Sequence, residues 1–208
     1  MIMQIRYATD LSAEEYVKQE AWKKARLEEC PLHPEGGCGF CKNGTYSRKH
    51  PKGTKVARWY CELGHRTFGL LPDCLSSRLS GSLDEVESVI MKVETSPTQE
   101  EAADTIRIDV VLPSVLRWIR RRIKLIRLSL TMLIELMPSV FSGCNPTICS
   151  FRSVLGVEPV LPELRDRASS YLPILPPPLG FGPRPESKKF KKKHFQHQTG
   201  TDPPLLTL

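Results

Sequence analysis

The sequence predicts a small α+β protein, and three observations carry that prediction. Cysteine, histidine and glycine residues crowd around a pair of extended segments between positions 30 and 72. Apolar residues then recur at helical spacing from about 80 to 137. The last segment, 173–208, is rich in proline and then lysine, and we expect it to be a disordered basic tail. A chain of 208 residues allows one domain or two small ones and excludes a large catalytic core.

The first 29 residues are expected to contain one short helix. Ser12 and Glu15 have the spacing of a capping box, and helix-forming residues continue to about Glu29. No signal peptide is expected, because Met1 to Ile5 is followed at once by charged residues rather than by an apolar run.

A β-hairpin is predicted within residues 30–72. The segments 45–49 and 55–60 are rich in threonine, tyrosine, valine and tryptophan, and the sequence His-Pro-Lys-Gly-Thr between them is typical of a turn. Around this hairpin lie six candidate metal ligands in three close pairs: Cys30 and His33, Cys38 and Cys41, and Cys61 and His65.

Four of these six residues would complete a tetrahedral zinc site. Two ligand pairs joined by a hairpin define a zinc ribbon, in which Zn²⁺ replaces a core that a segment of about 45 residues cannot build for itself. Cys61 and His65 are needed in either arrangement, and pair geometry favours Cys38 and Cys41 as their partners. Cys30 and His33 are the alternates, and the choice of four among six stays open.

The other cysteines, Cys74, Cys144 and Cys149, lie among apolar residues and are predicted to be small core residues. An odd total of seven cysteines without a secretion signal argues for reduced thiols or metal ligands, and we expect a cytoplasmic protein. The most apolar stretch, 125–141, contains charges and a proline and is too short to span a bilayer, so no membrane association is expected.

Three helices are predicted for a helical domain over 80–137. The first covers 83–95, the second starts with Ser96 as its N-cap, and the third runs from Pro113 to about Met137, where Pro138 stops it. Beyond it, residues 138–172 form a short extension with a predicted helix from Glu163 to Tyr171.

The third helix has two distinct faces. One is a strict heptad stripe that predicts packing within the monomer or, as the alternative, a homodimer. The stripe is formed by Leu116, Ile119, Ile123, Ile126, Leu130, Leu133 and Met137. The other face is basic and carries Arg117, Arg120, Arg121, Lys124 and Arg127.

Positive charge is segregated along the chain. The net charge is +7, with +6 in the acid-free segment 36–61, +6 in the acid-free segment 112–134 and +3 in 186–208, which leaves −8 for the rest. Segregation of this kind predicts a polyanionic partner. Besides the helix residues, the candidate DNA contacts are Arg48, Lys49, Lys52, Lys55 and Arg58.

The runs 30–33, 36–40, 44–46, 58–61 and 65–72 resemble the zinc ribbon at the N-terminus of bacterial insertion-sequence transposases and related mobile-element proteins. Residues 96–122 resemble the helix-turn-helix that follows it, with Arg117 and Trp118 in the recognition helix. The resemblance implies a bound Zn²⁺ and double-stranded DNA as the partner, and it adds a transposase as an alternative partner of the heptad stripe. The second knuckle departs from the family pattern, since Cys61-x3-His65 stands where Cys-x2-Cys is usual.

No catalytic motif accompanies these features. A nucleophile elbow, a phosphate-binding loop and a His-Glu metalloprotease motif are all missing from the sequence, and few of the acids after Glu101 lie on credible strands, whereas a transposase nuclease needs three carboxylates. We therefore expect no enzyme and no small-molecule substrate.

The function predicted from the sequence is zinc-dependent DNA binding by an accessory or regulatory mobile-element protein without a nuclease domain. The alternative is a zinc-ribbon module that binds a protein partner through the heptad helix, or an RNA-binding module. The RNA-binding variant would stack bases on Tyr46, Trp59 or Tyr60.

Overall fold

The fold combines one four-stranded sheet with a layer of helices. The computed structural model describes residues 2–107 and 114–182. Within those ranges the strands are β1 (Ile2–Tyr7), β2 (Cys41–Ser47), β3 (Lys55–Cys61) and β4 (Arg66–Pro72). The helices are α1 (Ala13–Lys18), α2 (Leu83–Thr95), α3 (Gln99–Arg107), α4 (Val115–Leu136), α5 (Pro138–Phe141), α6 (Ile148–Leu155) and α7 (Val160–Arg167). The predicted α+β class is confirmed.

The sheet has the strand order β1-β4-β3-β2. The predicted hairpin is present, because β2 and β3 pair antiparallel, and β3 in turn pairs antiparallel with β4. The N-terminal strand β1 pairs parallel with β4. Neither β1 nor β4 was predicted. Strand β1 depends on pairing with a strand that is distant in sequence, and β4 follows the second ligand pair, where no strand was expected.

The N-terminal capping box is confirmed. The Glu15 amide donates to Ser12 Oγ at 3.2 Å, and the Ser12 amide donates to Glu15 Oε2 at 2.9 Å. The helix ends at Lys18 instead of continuing to Glu29, because Glu20 takes the left-handed conformation with φ 49°. The chain then forms a 3-10 turn, Ala21–Lys23, that buries Trp22 beside Tyr16.

The helical layer buries the heptad stripe of α4 in the protein's own core. Five stripe residues are buried, and Leu116 and Met137 pack partly buried against them. This packing within the monomer takes the stripe away from any partner surface. The second helix begins at Gln99, with Thr98 Oγ1 accepting from the Glu101 amide at 3.2 Å. Ser96 instead donates its hydroxyl to the Lys92 carbonyl at the end of α2. Pro113 lies outside the described residues.

Two carboxylates of α2 hold the N-termini of the last helices. Glu87 is buried and accepts hydrogen bonds from the amides of Val160 and Leu161 at 2.9 and 2.8 Å, where α7 begins. Glu94 accepts from Ile148 and Cys149 at the start of α6, both at 3.0 Å. Negative charge at a helix N-terminus is stabilising, so α2 acts as the scaffold for the helical extension.

Residues 173–182 differ from the expectation of a disordered tail, because they fold against the helical layer. Leu175 and Leu179 are buried in its core. The buried hydroxyl of Ser129 donates to the carbonyls of Pro176 and Pro177 at 3.0 and 3.1 Å. Residues 183–208, which include the lysine run, lie outside the described residues.

Within the described ranges, no helix combines the length and the apolar character that crossing a bilayer requires.

Candidate metal centre

Three cysteines and one histidine converge at one end of the sheet. The ligand-type atoms of Cys30, His33, Cys38 and Cys61 all lie within 4.8 Å of one another. The first three belong to the loop before β2, and Cys61 is the last residue of β3. These four residues are close enough to hold a metal ion.

Two sulfur–nitrogen distances in the cluster are close to the edge lengths of a metal tetrahedron. Ligand bonds of about 2.3 Å to sulfur and about 2.0 Å to nitrogen imply sulfur–nitrogen edges of roughly 3.5 Å. His33 Nδ1 lies 3.7 Å from Cys30 Sγ and 3.3 Å from Cys61 Sγ. A closed set of three thiolates and one imidazole is a donor set that zinc accepts in structural sites.

Backbone turns hold the ligands in place. Cys30 and His33 form an isolated β-bridge, in which the His33 amide donates to the Cys30 carbonyl at 3.1 Å. After Cys61, the Gly64 amide donates to the Cys61 sulfur at 3.2 Å. The Leu63 amide donates to the Cys38 carbonyl at 3.3 Å, which ties the two sides of the cluster together.

An apolar shell encloses the cluster. Cys61 is fully buried, and Cys30 and Cys38 are each 4 % exposed. Phe40 stacks on Trp59 with 5.3 Å between ring centroids, and its edge meets Phe68 at 6.0 Å. Thiolates in such a dry environment gain strongly from a bound cation, because little water is available to solvate their charge.

The thiol pKa values are shifted in opposite directions. Desolvation acts to raise the pKa of Cys30, but hydrogen bonds from the Leu32 backbone and from His33 outweigh it and lower that pKa to about 6. Desolvation and the neighbouring sulfurs of Cys30 and Cys61 raise the pKa of Cys38 to about 11. A bound divalent cation would offset the repulsion between neighbouring thiolates.

Cys41 and His65 lie outside this cluster, although pair geometry in the sequence favoured both. Cys41 is opposite Tyr60 in the β2–β3 ladder, so its side chain points to the face of the sheet opposite from that of Cys61, and it is exposed. His65 has φ 46° in the β3–β4 turn, and its Nδ1 lies 3.2 Å from the Tyr60 hydroxyl. Alternation of side chains along the paired strands therefore separates Cys41 from the ligand cluster, and the turn places the His65 ring beside the Tyr60 hydroxyl instead.

Sequence reasoning missed the part played by Gly64. A Cβ atom on Gly64 would lie 2.7 Å from Leu32 Cδ1, 3.2 Å from Cys61 Sγ and 3.5 Å from His33 Cε1. The signal in the sequence was a glycine three residues after a ligand cysteine, where an amide approaches the sulfur.

We expect Gly64→Ala to weaken metal binding while the protein still folds. The added methyl group must displace Leu32 or the Cys61 sulfur, because both lie closer than ordinary van der Waals contact allows. An affinity loss of about 10-fold or more, as found when groups around metal ligands are altered, is expected in competition with a chromogenic chelator. Gly143→Ala is the matched control, since nothing lies within 4 Å of the position its Cβ would take. Equal affinities of the two variants would contradict the steric role of Gly64.

The basic face of α4 is exposed. Arg117, Arg120, Arg121, Lys124 and Arg127 are all solvent-exposed. Arg120 reaches α3, with its Nη2 3.4 Å from Glu100 Oε1 and its Nε 3.3 Å from Gln99 Oε1. Arg122, in contrast, is buried, lies 3.6 Å over the Trp118 ring and donates to the Ser80 carbonyl.

The hairpin cations have different environments. Lys49, Lys52 and Lys55 are exposed. Arg48 is half-buried and donates to the Leu79 carbonyl, and burial lowers its pKa. Arg48 thus directs one guanidinium nitrogen toward the protein interior, and its role as a DNA contact stays a prediction. Arg58 is half-exposed on β3.

The remaining cysteines lie apart from the metal cluster. Cys74 is buried in the core between the sheet and α1, and this burial raises the pKa of its thiol to about 12. Cys144 and Cys149 are half-buried in the helical layer.

No family model, no curated protein and no solved structure matches this chain. The resemblance to transposase N-terminal regions thus stays a prediction that depends on the sequence motifs.

Proposed function

We propose that this chain is a zinc-stabilised protein that binds double-stranded DNA through the exposed basic face of α4. The observation that carries the proposal is the division of α4 into a buried apolar side and an exposed side with five cations. The heptad stripe packs inside the protein, which leaves the basic side as the surface that α4 presents to a partner.

The dimensions of this surface suit a major groove. Arg117 and Arg127 are ten positions apart, which corresponds to about 15 Å along a helix. The major groove of B-DNA is about 12 Å wide and admits an α-helix. Arginine is suited to bidentate contact with guanine, and the cations at the helix edge can contact phosphates.

Helices α3 and α4 act in this proposal as a helix-turn-helix-like pair. They share one core, in which Ala103 and Ile106 of α3 lie with Ile119 and Ile123 of α4. The contact of Arg120 with Glu100 and Gln99 adds a polar link at the surface. Residues 108–113, which join the two helices, lie outside the described residues.

The metal centre has a structural role in the proposal. With Zn²⁺ bound by Cys30, His33, Cys38 and Cys61, the hairpin and its ligand turns form a zinc-ribbon-like module that presents Lys49, Lys52 and Lys55 on its surface. We assign no catalytic step to the chain, and we propose an accessory or regulatory role in a mobile element, as the motif resemblance implies.

We expect Arg117→Ala combined with Arg121→Ala to weaken binding to a cognate duplex by at least about tenfold, since one good base contact contributes about 1–3 kcal/mol. The duplex is first selected from a random pool by the full chain loaded with zinc, and affinity is then measured by fluorescence anisotropy at several salt concentrations. If both arginines contact phosphates instead, the slope of log affinity against log salt falls by about 2.

Lys18→Ala combined with Lys24→Ala is the matched control, because it removes the same charge from two exposed positions of the N-terminal segment. Equal losses in both double variants would mean that only net charge matters and would contradict recognition by α4. Selection of no duplex at near-physiological salt would reject the proposed function.

A further inference from the structure

The metal-binding end of the protein forms an acidic tip, which we define as residues 28–39 and 61–64. These two segments contain no lysine or arginine, and their four acidic residues are Glu28, Glu29, Glu35 and Glu62. All four acidic side chains are exposed. With Zn²⁺ bound, three thiolates and one neutral imidazole would add a net charge of about −1 to the tip. The acidic tip is therefore opposite in charge to the basic face of α4.

Contacts around the metal centre join the two segments of the acidic tip. A Cβ atom on Gly39 would lie 2.6 Å from Glu62 Oε2, so the Glu62 carboxylate extends over the loop that precedes β2. A Cβ atom on Gly64 would lie 2.7 Å from Leu32 Cδ1, so the first ligand turn packs against the second. Acidic and apolar side chains from both segments therefore belong to one surface.

Three cations border the acidic tip without neutralising it. Arg26 precedes the tip in sequence, and Arg66 is opposite Cys61 in the β3–β4 ladder. Lys42 donates to the Lys23 carbonyl at 3.0 Å, which directs its ammonium group toward the N-terminal segment. The four carboxylates and the metal site together carry more charge than these three cations, so the tip stays negative.

Two leucines of the acidic tip are exposed although their side chains are large and apolar. Leu32 is 44 % exposed and Leu63 is 68 % exposed, and Leu63 is the most exposed large apolar residue of the described chain. Covering such side chains is favourable, because it removes apolar surface from water. An apolar pair within an acidic surface fits a segment that carries both cations and large apolar side chains.

Residues 188–195 of the same chain have this complementary composition. Their sequence, Lys-Lys-Phe-Lys-Lys-Lys-His-Phe, contains five lysines, two phenylalanines and no acid. They lie outside the described residues. The exposed acids at the start of α3 are a poorer match for them, because Glu100 already contacts Arg120 beside the basic face of α4.

The described chain ends within reach of the acidic tip. The Phe181 carbonyl accepts from Arg78, in the loop that follows β4, and the tip lies at the opposite end of this strand. Strand β4 spans about 20 Å at about 3.3 Å per residue. An extended chain covers about 3.3–3.6 Å per residue, so residues 183–188 can bridge about 20 Å. The segment 188–195 can therefore arrive at the tip of its own chain.

We infer that residues 188–195 bind the acidic tip of their own chain, with lysines next to the tip carboxylates and a phenylalanine against Leu63. The inference goes beyond the proposed duplex binding, because it concerns another surface and does not require DNA. In the bound state the five lysines are withheld from polyanions. The contact thereby limits sequence-independent, salt-sensitive association through this segment.

Photo-cross-linking in the full zinc-loaded chain tests where the segment lies. Benzoylphenylalanine is introduced in place of Leu63, whose exposure allows the change, and cross-linked peptides are identified by mass spectrometry. We expect cross-links from position 63 to residues 188–195 of the same chain. Their yield should fall at about 1 M salt, where the Debye length is about 3 Å. Benzoylphenylalanine in place of Val154, which is exposed on α6, is the control and should not cross-link to this segment.

A fluorescein-labelled peptide with the sequence of residues 183–197 measures affinity for the acidic tip. The protein in this experiment is the full zinc-loaded chain with its five tail lysines changed to glutamine, so that its own segment does not compete. We expect Leu63→Ser to weaken peptide binding by about tenfold, because an apolar contact is lost. Glu35→Gln combined with Glu62→Gln should weaken it by about 2- to 20-fold.

Glu14→Gln combined with Glu135→Gln is the matched control, because it removes two exposed acids that lie outside the acidic tip, in α1 and α4. Equal losses of peptide affinity in the two double variants would mean that only net charge matters and would contradict the inference.

Two further results would overturn the inference. One is the lack of any cross-link from position 63 to residues 188–195 of the same chain, and cross-links that form only between chains would assign the tip to a second copy instead. The other is unchanged peptide affinity in Leu63→Ser with zinc content and thermal stability preserved. Failure to select a duplex would reject the proposed function and leave these measurements unaffected.

Discussion

Cys61→Ser is expected to abolish stoichiometric zinc binding and to disorder the metal-binding end of the sheet. Cys61 is fully buried, its sulfur lies 3.3 Å from His33 Nδ1, and it accepts a hydrogen bond from the Gly64 amide. A serine hydroxyl is a poor ligand for zinc, so three ligands remain. Zinc contributes an apparent binding free energy of about 10–16 kcal/mol to small zinc modules at neutral pH, and most of this should be lost.

The loss of structure in Cys61→Ser should be confined to the metal-binding end of the sheet. The helical layer has its own core, from Leu79 to Leu179, and this core does not include the ligand cysteines. Helical circular dichroism should therefore persist in Cys61→Ser, whereas the fluorescence of Trp59, which stacks on Phe40 beside the ligands, should change. Addition of a strong chelator to the unaltered protein should produce the same pair of signals.

Cys41→Ser distinguishes the ligand set seen in the structure from the set that pair geometry favoured in the sequence, because Cys41 belongs only to the second. Both cysteines lie at ends of paired strands, but Cys41 is exposed on the other face of the sheet. We expect Cys41→Ser to keep the full metal content measured by atomic absorption spectroscopy. Normal zinc stoichiometry in Cys61→Ser, or its loss in Cys41→Ser, would contradict the assignment of the converging cluster as the metal site.

The sequence was informative where chemistry is local. The capping box of α1, the helix over 83–95 and the hairpin depend on residues a few positions apart, and each is present in the structure. The six candidate ligands contain the four that converge. The selection among them could not be made from spacing, because it depends on which face of β3 each neighbour occupies, and that is fixed by the strand register.

The differences between the predicted and the observed structure arise where an element depends on a partner far away in the sequence. Strand β1 becomes a strand only by pairing with β4, more than sixty residues away, so its sequence has no local signal beyond apolar content. Residues 173–182 have the composition of a disordered segment, but they meet polar groups that are buried in the helical layer. Composition predicts disorder correctly only where no such partners are available.

Arg165 provides the largest of these long-range contacts. Its side chain is fully buried, and its guanidinium donates to the carbonyls of Leu179, Pro178, Asp73 and Leu75 at 2.6–2.9 Å. Burial lowers the pKa of Arg165 to about 10, which leaves the group charged at neutral pH. One side chain of α7 thereby joins the end of the sheet to the 173–182 segment.

We expect Arg165→Met to lower the free energy of unfolding by at least about 3 kcal/mol, because the methionine fills a similar volume but leaves the buried carbonyls without donors. The free energy of unfolding of Arg165→Lys should lie between those of the unaltered protein and Arg165→Met, since an ammonium group has three donors but cannot reproduce the planar geometry of the guanidinium. Urea unfolding followed by circular dichroism measures the free energy of unfolding of both variants.

Arg167→Met is the matched control, because Arg167 is exposed and pairs with Glu163 at the surface, where such pairs contribute about 0–1 kcal/mol. Equal stability of Arg165→Met and Arg167→Met would contradict this role of Arg165. It would mean that the buried carbonyls find other donors and that Arg165 does not hold the 173–182 segment against the sheet.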